Sequence, residues 1–411
     1  LPANLIYQWL SEIERFIGDR LQIFLHHGKS RVTKDILESK KQKIIITTYS
    51  LMALYPYSVF HTTNLDRIIL EECHLVRNHK SKSARSIFSI HSKYRWGITG
   101  TPIHNTIKDL TSLCLFLGID QITVKKHTKT IVDRYILRRT KKDVERFNPK
   151  LKLPPISIIN HNIDFDTEEE KQFYNKVKGN IDKELATLKK FKFNPIHYLE
   201  LYLRMKQAST YSQLIIDGYN RKKWGIHYDD WHGSNTKLDY IVKGVTNNIT
   251  TERPIIFTQF RKEMQYLYTH LNTNGIRTYK LDGSTTILER NQIIKNASIK
   301  DSHHTKYIDC IIVQIDAGGT GLNLQMFNSV WFSTLTWNPA IEMQAIARVH
   351  RIGQTLPVIV RKIVLNHTID SKIIQVQTSK LHIISQILND KNILPKIQNK
   401  FTQQDIIHIL S

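Results

Sequence analysis

Apolar positions along this chain follow two spacings. Near the start Leu5, Ile6, Trp9, Leu10 and Ile13 recur every three or four residues, which predicts an amphipathic helix just after Pro2. Short unbroken apolar runs then predict buried strands. Ile44-Ile45-Ile46 closes on Thr47-Thr48-Tyr49, Ile68-Ile69-Leu70 closes on Glu71-Glu72, and residues 94–98 close on Thr99-Gly100-Thr101-Pro102. A helix is expected from there to about residue 117. This alternation of strand and helix is that of an α/β fold. The rhythm breaks between about 118 and 230. There residues 156–165 alternate only in part, and residues 167–191 and 199–208 read as helices. Thr167 with Glu170 gives the first of these a capping-box start. The α/β rhythm resumes with a strand at 254–260, a helix at 261–271, a strand ending at Leu281 and a helix at 287–296. Strands at 311–315, 329–333 and 358–364 and a closing helix at 368–388 complete it. The expected division is a first lobe at 1–117, a helical insertion and linker at 118–235, and a second lobe at 236–411.

Composition narrows the function classes. No apolar run reaches the roughly 18–20 residues of a membrane span, so no membrane partner is expected. The three cysteines, Cys73, Cys114 and Cys310, have no paired spacing. That argues against a disulfide scaffold or a zinc module and fits a reducing compartment. Residues 211–234 hold no cysteine, which argues against a RING-type ubiquitin ligase module. The net charge of +23 is the strongest bulk signal, with basic clusters at 40–43, 77–85, 138–142, 189–192 and 221–223. Nucleic acid is the commonest polyanion such a surface meets, although solvated basic faces would carry the same charge.

The candidate chemistry sits at strand ends. Glu71 and Glu72 close a strand on its carboxyl side, where open α/β sheets bind ligands. The strand at 311–315 feeds a turn with Gly318, Gly319 and Gly321, whose backbone N–H groups can approach phosphate closely. Asn338 is a plausible N-cap before Pro339, and Gln344, Arg348 and Arg351 follow at spacings that place them on roughly one helix face. Guanidinium groups suit phosphoryl oxygens because they stay charged and bind bidentately. Gly283 and Ser284 precede a helix start, a natural phosphate contact. Taken singly, each piece is equally an ordinary turn or a solvated surface.

Together and in this order, A-G-G-T-G-L-N-L (317–324) and Q-A-I-A-R-V-H-R-I-G-Q (344–354) resemble motifs V and VI of the Swi/Snf-type ATPases of helicase superfamily two. Residues 1–16 and 44–49 resemble motifs Ia and Ib. L-D-R-I-I-L-E-E-C-H (65–74), Y-R-W-G-I-T-G-T-P-I-H-N (94–105) and P-I-I-F-T-Q-F (254–260) resemble motifs II, III and IV. The resemblance implies two RecA-like α/β lobes with mostly parallel sheets and helical insertions between them. It implies ATP and Mg²⁺ as cofactors, ATP lying between the lobes, and movement along double-stranded DNA. Glu72 would orient or activate the attacking water, and Glu71 would hold Mg²⁺ through its water shell. Gly319, Gly321 and Gln354 would line the nucleotide, with Arg348 and Arg351 as fingers. Thr99 and Thr101 would couple the nucleotide to DNA, and Thr48, Gly283, Ser284, Thr320 and Asn323 would contact DNA.

The same resemblance implies nucleosomes or transcription complexes as partners, and the nucleus of a cell or of a virus-infected host as location. The nearest branch resembles the lodestar and transcription-termination-factor group, and the short build also suits viral relatives, the baculovirus global transactivators. Three positions depart from the family. Glu71 stands where aspartate is usual, His104 where glutamine is common, and Thr334-Leu335-Thr336 where Asp-Pro-Trp is more frequent. The sequence also contains no G-x-x-x-x-G-K-[ST] phosphate loop, so the first lobe is expected to be incomplete at its N-terminus. A C-terminal part of a longer ATPase is one expectation. A catalytically inactive DNA-binding or regulatory module is the other.

Overall fold

A computed structural model of the protein describes residues 1–103, 107–188, 195–221, 228–299, 308–318 and 322–388. The chain divides into two compact units. Among the described residues, one is Leu1–Arg138 together with residues 378–388, and the other is Arg139–Gln377.

In the first unit β1 (Gln22–His26) pairs in parallel with β2 (Lys43–Thr47), and β3 (Leu65–Glu71) pairs in parallel with β4 (Ser92–Ile98). The helix Ile6–Ile17 sets Ile6 and Ile13 against Ile46, as its apolar spacing predicts. Across β3 and β4 the register sets Ile68 beside Arg95 and Leu70 beside Gly97. Successive strand residues point to opposite faces. That face packs on a core of Leu70, Cys73, Val76, Ile87 and Phe116. A Cβ on Gly97 would stand 3.0 Å from Cys73 Sγ, so a larger residue there would press on the Cys73 side chain. Arg95 donates to the carbonyls of Ile90 (2.6 Å) and Phe116 (3.0 Å), satisfying acceptors where helices end.

The second unit holds a six-stranded parallel sheet in the order β5-β10-β9-β6-β8-β7. These strands are β5 (Ile156–Ile163), β6 (Pro254–Thr258), β7 (Thr278–Leu281), β8 (Cys310–Gln314), β9 (Ser329–Phe332) and β10 (Val358–Leu365). Ile255, Phe257, Ile311, Val313, Val330 and Phe332 join one core cluster with Tyr174, Val177, Leu201 and Met205 from the helices Glu168–Leu188 and Pro195–Thr210. Ile256, Ile312, Trp331 and Ile363 join another with Leu238, Ile241, Met264 and Leu267 from Thr236–Asn248 and Arg261–Thr273. A parallel sheet covered on both faces explains why these strands read as unbroken apolar runs.

The structure corrects the expected division. Residues 118–235 are not a separate insertion, because β5 pairs with β10 over its full length and the two helices after it cover the sheet. The alternation in β5 is weak because it is an edge strand. The capping box is also half-formed. Thr167 Oγ1 accepts from the Glu170 N–H at 3.3 Å, but the buried Glu170 carboxylate turns to the Thr236 hydroxyl (2.6 Å) and the Ser234 hydroxyl (2.8 Å). It thereby ties the start of the helix Glu168–Leu188 to that of Thr236–Asn248.

The family departure at Thr334 and Thr336 has a local physical reason. Their hydroxyls donate to the buried carboxylates of Glu263 (2.7 Å) and Glu342 (3.0 Å). An aspartate at 334 would set a second buried carboxylate beside Glu263, and like charges at that range disfavour ionisation.

Candidate functional site

The carboxyl end of β3 is built around a strained residue. Glu72 has φ 54° and ψ 50°, a left-handed conformation that costs a residue with a side chain about 1–2 kcal/mol. Such strain persists where surrounding contacts over-determine it, and it clusters at functional sites. Here those contacts are visible. The Tyr49 hydroxyl donates to the Glu71 carbonyl at 2.8 Å, just ahead of the turn. Cys73, just after it, is buried against Gly97. His74 Nδ1 lies 3.1 Å from Glu72 Oε2 and 3.1 Å from the Thr99 hydroxyl, and the Thr101 N–H donates to Thr99 Oγ1 at 3.1 Å. One imidazole nitrogen thus approaches the buried Glu72 carboxylate without hydrogen-bond geometry and contacts the turn after β4, the pair of threonines predicted to couple two sites. Burial pushes the Cys73 thiol up to about 12, with the Glu72 charge adding to it, so this thiol is inert at neutral pH. Glu71 is only partly buried and lies at the mouth of the same strand end.

In the second unit the helix Pro339–Val349 starts as predicted. Asn338 Oδ1 accepts from the Ala340 N–H at 3.0 Å, and proline takes the first helical position. Ala345, Ile346 and Val349 anchor it in the core, and Arg348 is half-buried in its last turn. The expectation that Arg351 shares this helical face is corrected, because the helix ends at Val349 and His350 adopts φ −91°, ψ 77°. His350 Nε2 contacts the Pro154 carbonyl at 2.8 Å, and the Lys141 ammonium lies 3.0 Å from Nδ1 and also donates to the His350 carbonyl. An ammonium can only donate, so Nδ1 accepts and Nε2 carries the proton. Burial and, after it, the Lys141 charge hold His350 below the ordinary imidazole range.

Gln354 is a second correction. It was expected at the nucleotide, yet its amide is buried and committed to backbone. Nε2 donates to the carbonyls of Phe327 (2.8 Å), Gln325 (3.0 Å) and Val349 (3.3 Å), and Oε1 accepts from Thr355 and Leu356 at 3.0 Å each. No donor or acceptor capacity is left for a ligand. Gly353 has φ +101°, and a Cβ there would meet Gln325 Oε1 at 2.6 Å.

The remaining predicted positions divide clearly. Thr48 is buried and caps the helix Tyr49–Leu54, its hydroxyl accepting from Leu51 N–H at 3.3 Å. Ser284 is exposed and donates to Asp282 Oδ1 through its N–H (2.8 Å) and hydroxyl (2.5 Å), which draws the Asp282 carboxyl below its usual range. Gly283 and Asn323 are exposed. The helix after Gly283 and Ser284 fills its own N-terminus with a Thr286–Glu289 capping box. Gly318 ends a one-turn helix, Ile315–Gly318. Gly319, Thr320, Gly321 and His104 lie outside the described residues.

Among the described residues no three His, Cys, Asp or Glu side chains gather as a metal cage. Mg²⁺ is commonly bound through one or two carboxylates, several waters and substrate phosphates, and the accessible Glu71 fits that mode. His74, His350 and Lys141 were not singled out from the sequence. His74 stood in view two residues after Glu72, whereas Lys141 was marked only as one member of the basic cluster at 138–142.

Comparison with known proteins agrees with the motifs. Residues 1–129 match the SNF2-related domain and residues 236–353 the helicase conserved C-terminal domain. The chain thus carries stretches similar to both of these domains. Transcription termination factor 2 of Drosophila melanogaster is 25% identical, over 98% of this chain and 49% of its own length. The ATP-dependent helicase FUN30 of Saccharomyces cerevisiae is 24% identical, over 99% of this chain and 44% of its own length. The human SWI/SNF-related matrix-associated actin-dependent regulator of chromatin subfamily A member 1 is 23% identical, over the whole of this chain and 40% of its own. The chain therefore spans about half the length of these relatives, or less. A crystal structure of the C-terminal part of the Fun30 ATPase domain aligns over 59% of this chain and all of its own, at 20% identity and a TM-score of 0.43. No described helix is long and apolar enough to cross a membrane.

Proposed function

We propose that this chain is motor machinery of a DNA-dependent ATPase, one that moves along double-stranded DNA to remodel protein–DNA complexes or regulate transcription. The observation that carries the reading is Glu72, a buried carboxylate held in a strained turn beside His74, which contacts Thr99. In phosphoryl transfer the protein mainly positions groups and stabilises charge. Glu72 orients the attacking water, and the left-handed turn at Glu72 sets where its carboxylate is presented. Arg348 and Arg351 supply charge to the phosphoryl oxygens as they become more negative. Mg²⁺ bound with ATP would neutralise the phosphate oxygens, with Glu71 reaching it through water. The net charge of +23 and the names of the relatives support duplex DNA, nucleosomes or transcription complexes as partners, and the nucleus as location. Glu71 in place of aspartate favours a second reading as a catalytically inactive DNA-binding or regulatory module.

The test uses the protein that carries this chain together with a phosphate loop. Duplex DNA should stimulate phosphate release, and Glu72→Gln should abolish it while nucleotide binding persists. Binding to duplex should weaken by orders of magnitude between about 50 and 200 mM salt. Release that Glu72→Gln leaves intact would refute the assignment. Salt-dependent DNA binding without any hydrolysis would establish the second reading.

A further inference from the structure

Arg351 owes its position to neither a helix nor a strand. It follows the last helical residue, Val349, and precedes Gly353 at positive φ. What holds it is a pair of pins on either side. On the far side is Gln354, spent wholly on backbone groups of 325–327, Val349 and 355–356. On the near side is His350, buried and bonded through both ring nitrogens to a segment about two hundred residues earlier in the chain, Pro154 through Nε2 and Lys141 through Nδ1. Lys141 begins its own short helix, Lys141–Phe147, behind a complete Thr140–Asp143 capping box. The lysine therefore comes from a fixed backbone.

We propose that His350, with Lys141, is a positioning residue that fixes the backbone from which the Arg351 guanidinium is delivered. The inference rests on the reading of Arg351 as a phosphate-directed finger. Its chemistry is specific. The site needs one acceptor aimed at an ammonium and one donor aimed at a carbonyl, on a side chain rigid enough to hold both. A neutral imidazole supplies that set, as does a glutamine amide, whereas alanine supplies neither. Loss of the pin frees a turn that already lies outside the helix. Arg351 then samples many orientations, and geometric error of about 1 Å in a phosphoryl-transfer site costs on the order of 10²-fold in rate.

Two measurements separate this inference from the functional reading beneath it. The first needs no ATP. In limited trypsin digestion of residues 1–411, followed by mass spectrometry, His350→Ala should speed cleavage after Arg351 by about tenfold, with other cuts and the melting temperature little changed. Lys141→Met should act in the same direction, and His350→Gln should stay near wild type. Equal cleavage in wild type and His350→Ala, or a His350→Gln protein as open as His350→Ala, would overturn the pin. The second uses the hydrolysing protein. His350→Ala should lower kcat by about tenfold or more while KM for ATP stays within about twofold, with His350→Gln restoring most of the rate. The double variant Lys141→Met/His350→Ala should be no worse than His350→Ala alone. If Arg351→Ala loses turnover but His350→Ala does not, the positioning claim falls and the finger stands. If Arg351→Ala keeps turnover, the finger reading falls, and the digestion alone judges the pin.

Discussion

In the second unit β6, β8 and β9 are buried along nearly their whole length, whereas in the first unit β4 leaves Tyr94, Trp96 and Ile98 exposed along one face. The same parallel pairing thus serves two purposes. The six-stranded sheet is a core in its own right, sealed by helices on both sides. The pair β3–β4 packs on one side only, and its carboxyl end holds the candidate chemistry. The two units also hold their key side chains by different means. Glu72 is aimed by a strained backbone, supported by neighbours close in sequence or on the adjacent strand. Arg351 is aimed by an unstrained turn held by side chains from distant segments. A strained carboxylate has little freedom to lose. A pinned arginine can be released by changing a residue that never meets the nucleotide.

The sharpest probe of this contrast is Arg351→Ala, which should cut DNA-stimulated turnover by roughly 10³–10⁵-fold while duplex affinity changes little. Steady-state phosphate release and a binding titration check it. Intact turnover would mean that the pinned turn serves the fold alone.

Next in size is the contrast between the two sheets. Phe257 is fully buried and stacks on Phe332 with ring centroids 5.3 Å apart, so Phe257→Ala should cost about 3–5 kcal/mol. Trp96 is 60% exposed, and Trp96→Ala should stay within about 0.5 kcal/mol. Urea unfolding followed by circular dichroism would measure both. Similar losses at the two positions would break the distinction between a sealed and a one-sided sheet.

A smaller effect should come from charge buried in the second unit. Lys206 is 2% exposed and donates to Gln259 Oε1, and burial lowers its ammonium to about 8 from the ordinary 10.5. Below pH 8 both folded and unfolded chains are protonated there, and the folded state bears the full cost of the buried charge. Between about 8 and 10.5 the unfolded chain holds the extra proton, so this group makes stability rise with pH. Melting temperatures across that interval should rise in wild type relative to Lys206→Met. Parallel curves would show that the ammonium is not desolvated as its burial implies.

The smallest change is expected for Glu71→Asp in the hydrolysing protein. Charge is conserved and only reach differs, so turnover should be kept or modestly raised, in contrast with the loss from Glu72→Gln. A large loss would show a site rebuilt around the longer side chain.

By itself the sequence determined the elements whose cause is local. The apolar runs of β6 and β8, the Asn338–Pro339 helix start and the helix Ile6–Ile17 all follow from spacing and capping chemistry within one short stretch. The two carboxylates at a strand end and the arginine-bearing helix were legible for the same reason, and the order of motifs pointed to the family that the domain matches then supported. Tertiary structure alone decided what depends on distant partners. β5 reads as a weakly alternating stretch until β10, two hundred residues later, gives its backbone groups a ladder. Gln354 looks like a nucleotide ligand until three carbonyls claim its amide. The pairing of His350 with Lys141 carries no local signature because hydrogen bonding is directional and short in range, and only folding brings a donor 209 positions away to within 3.0 Å of the imidazole.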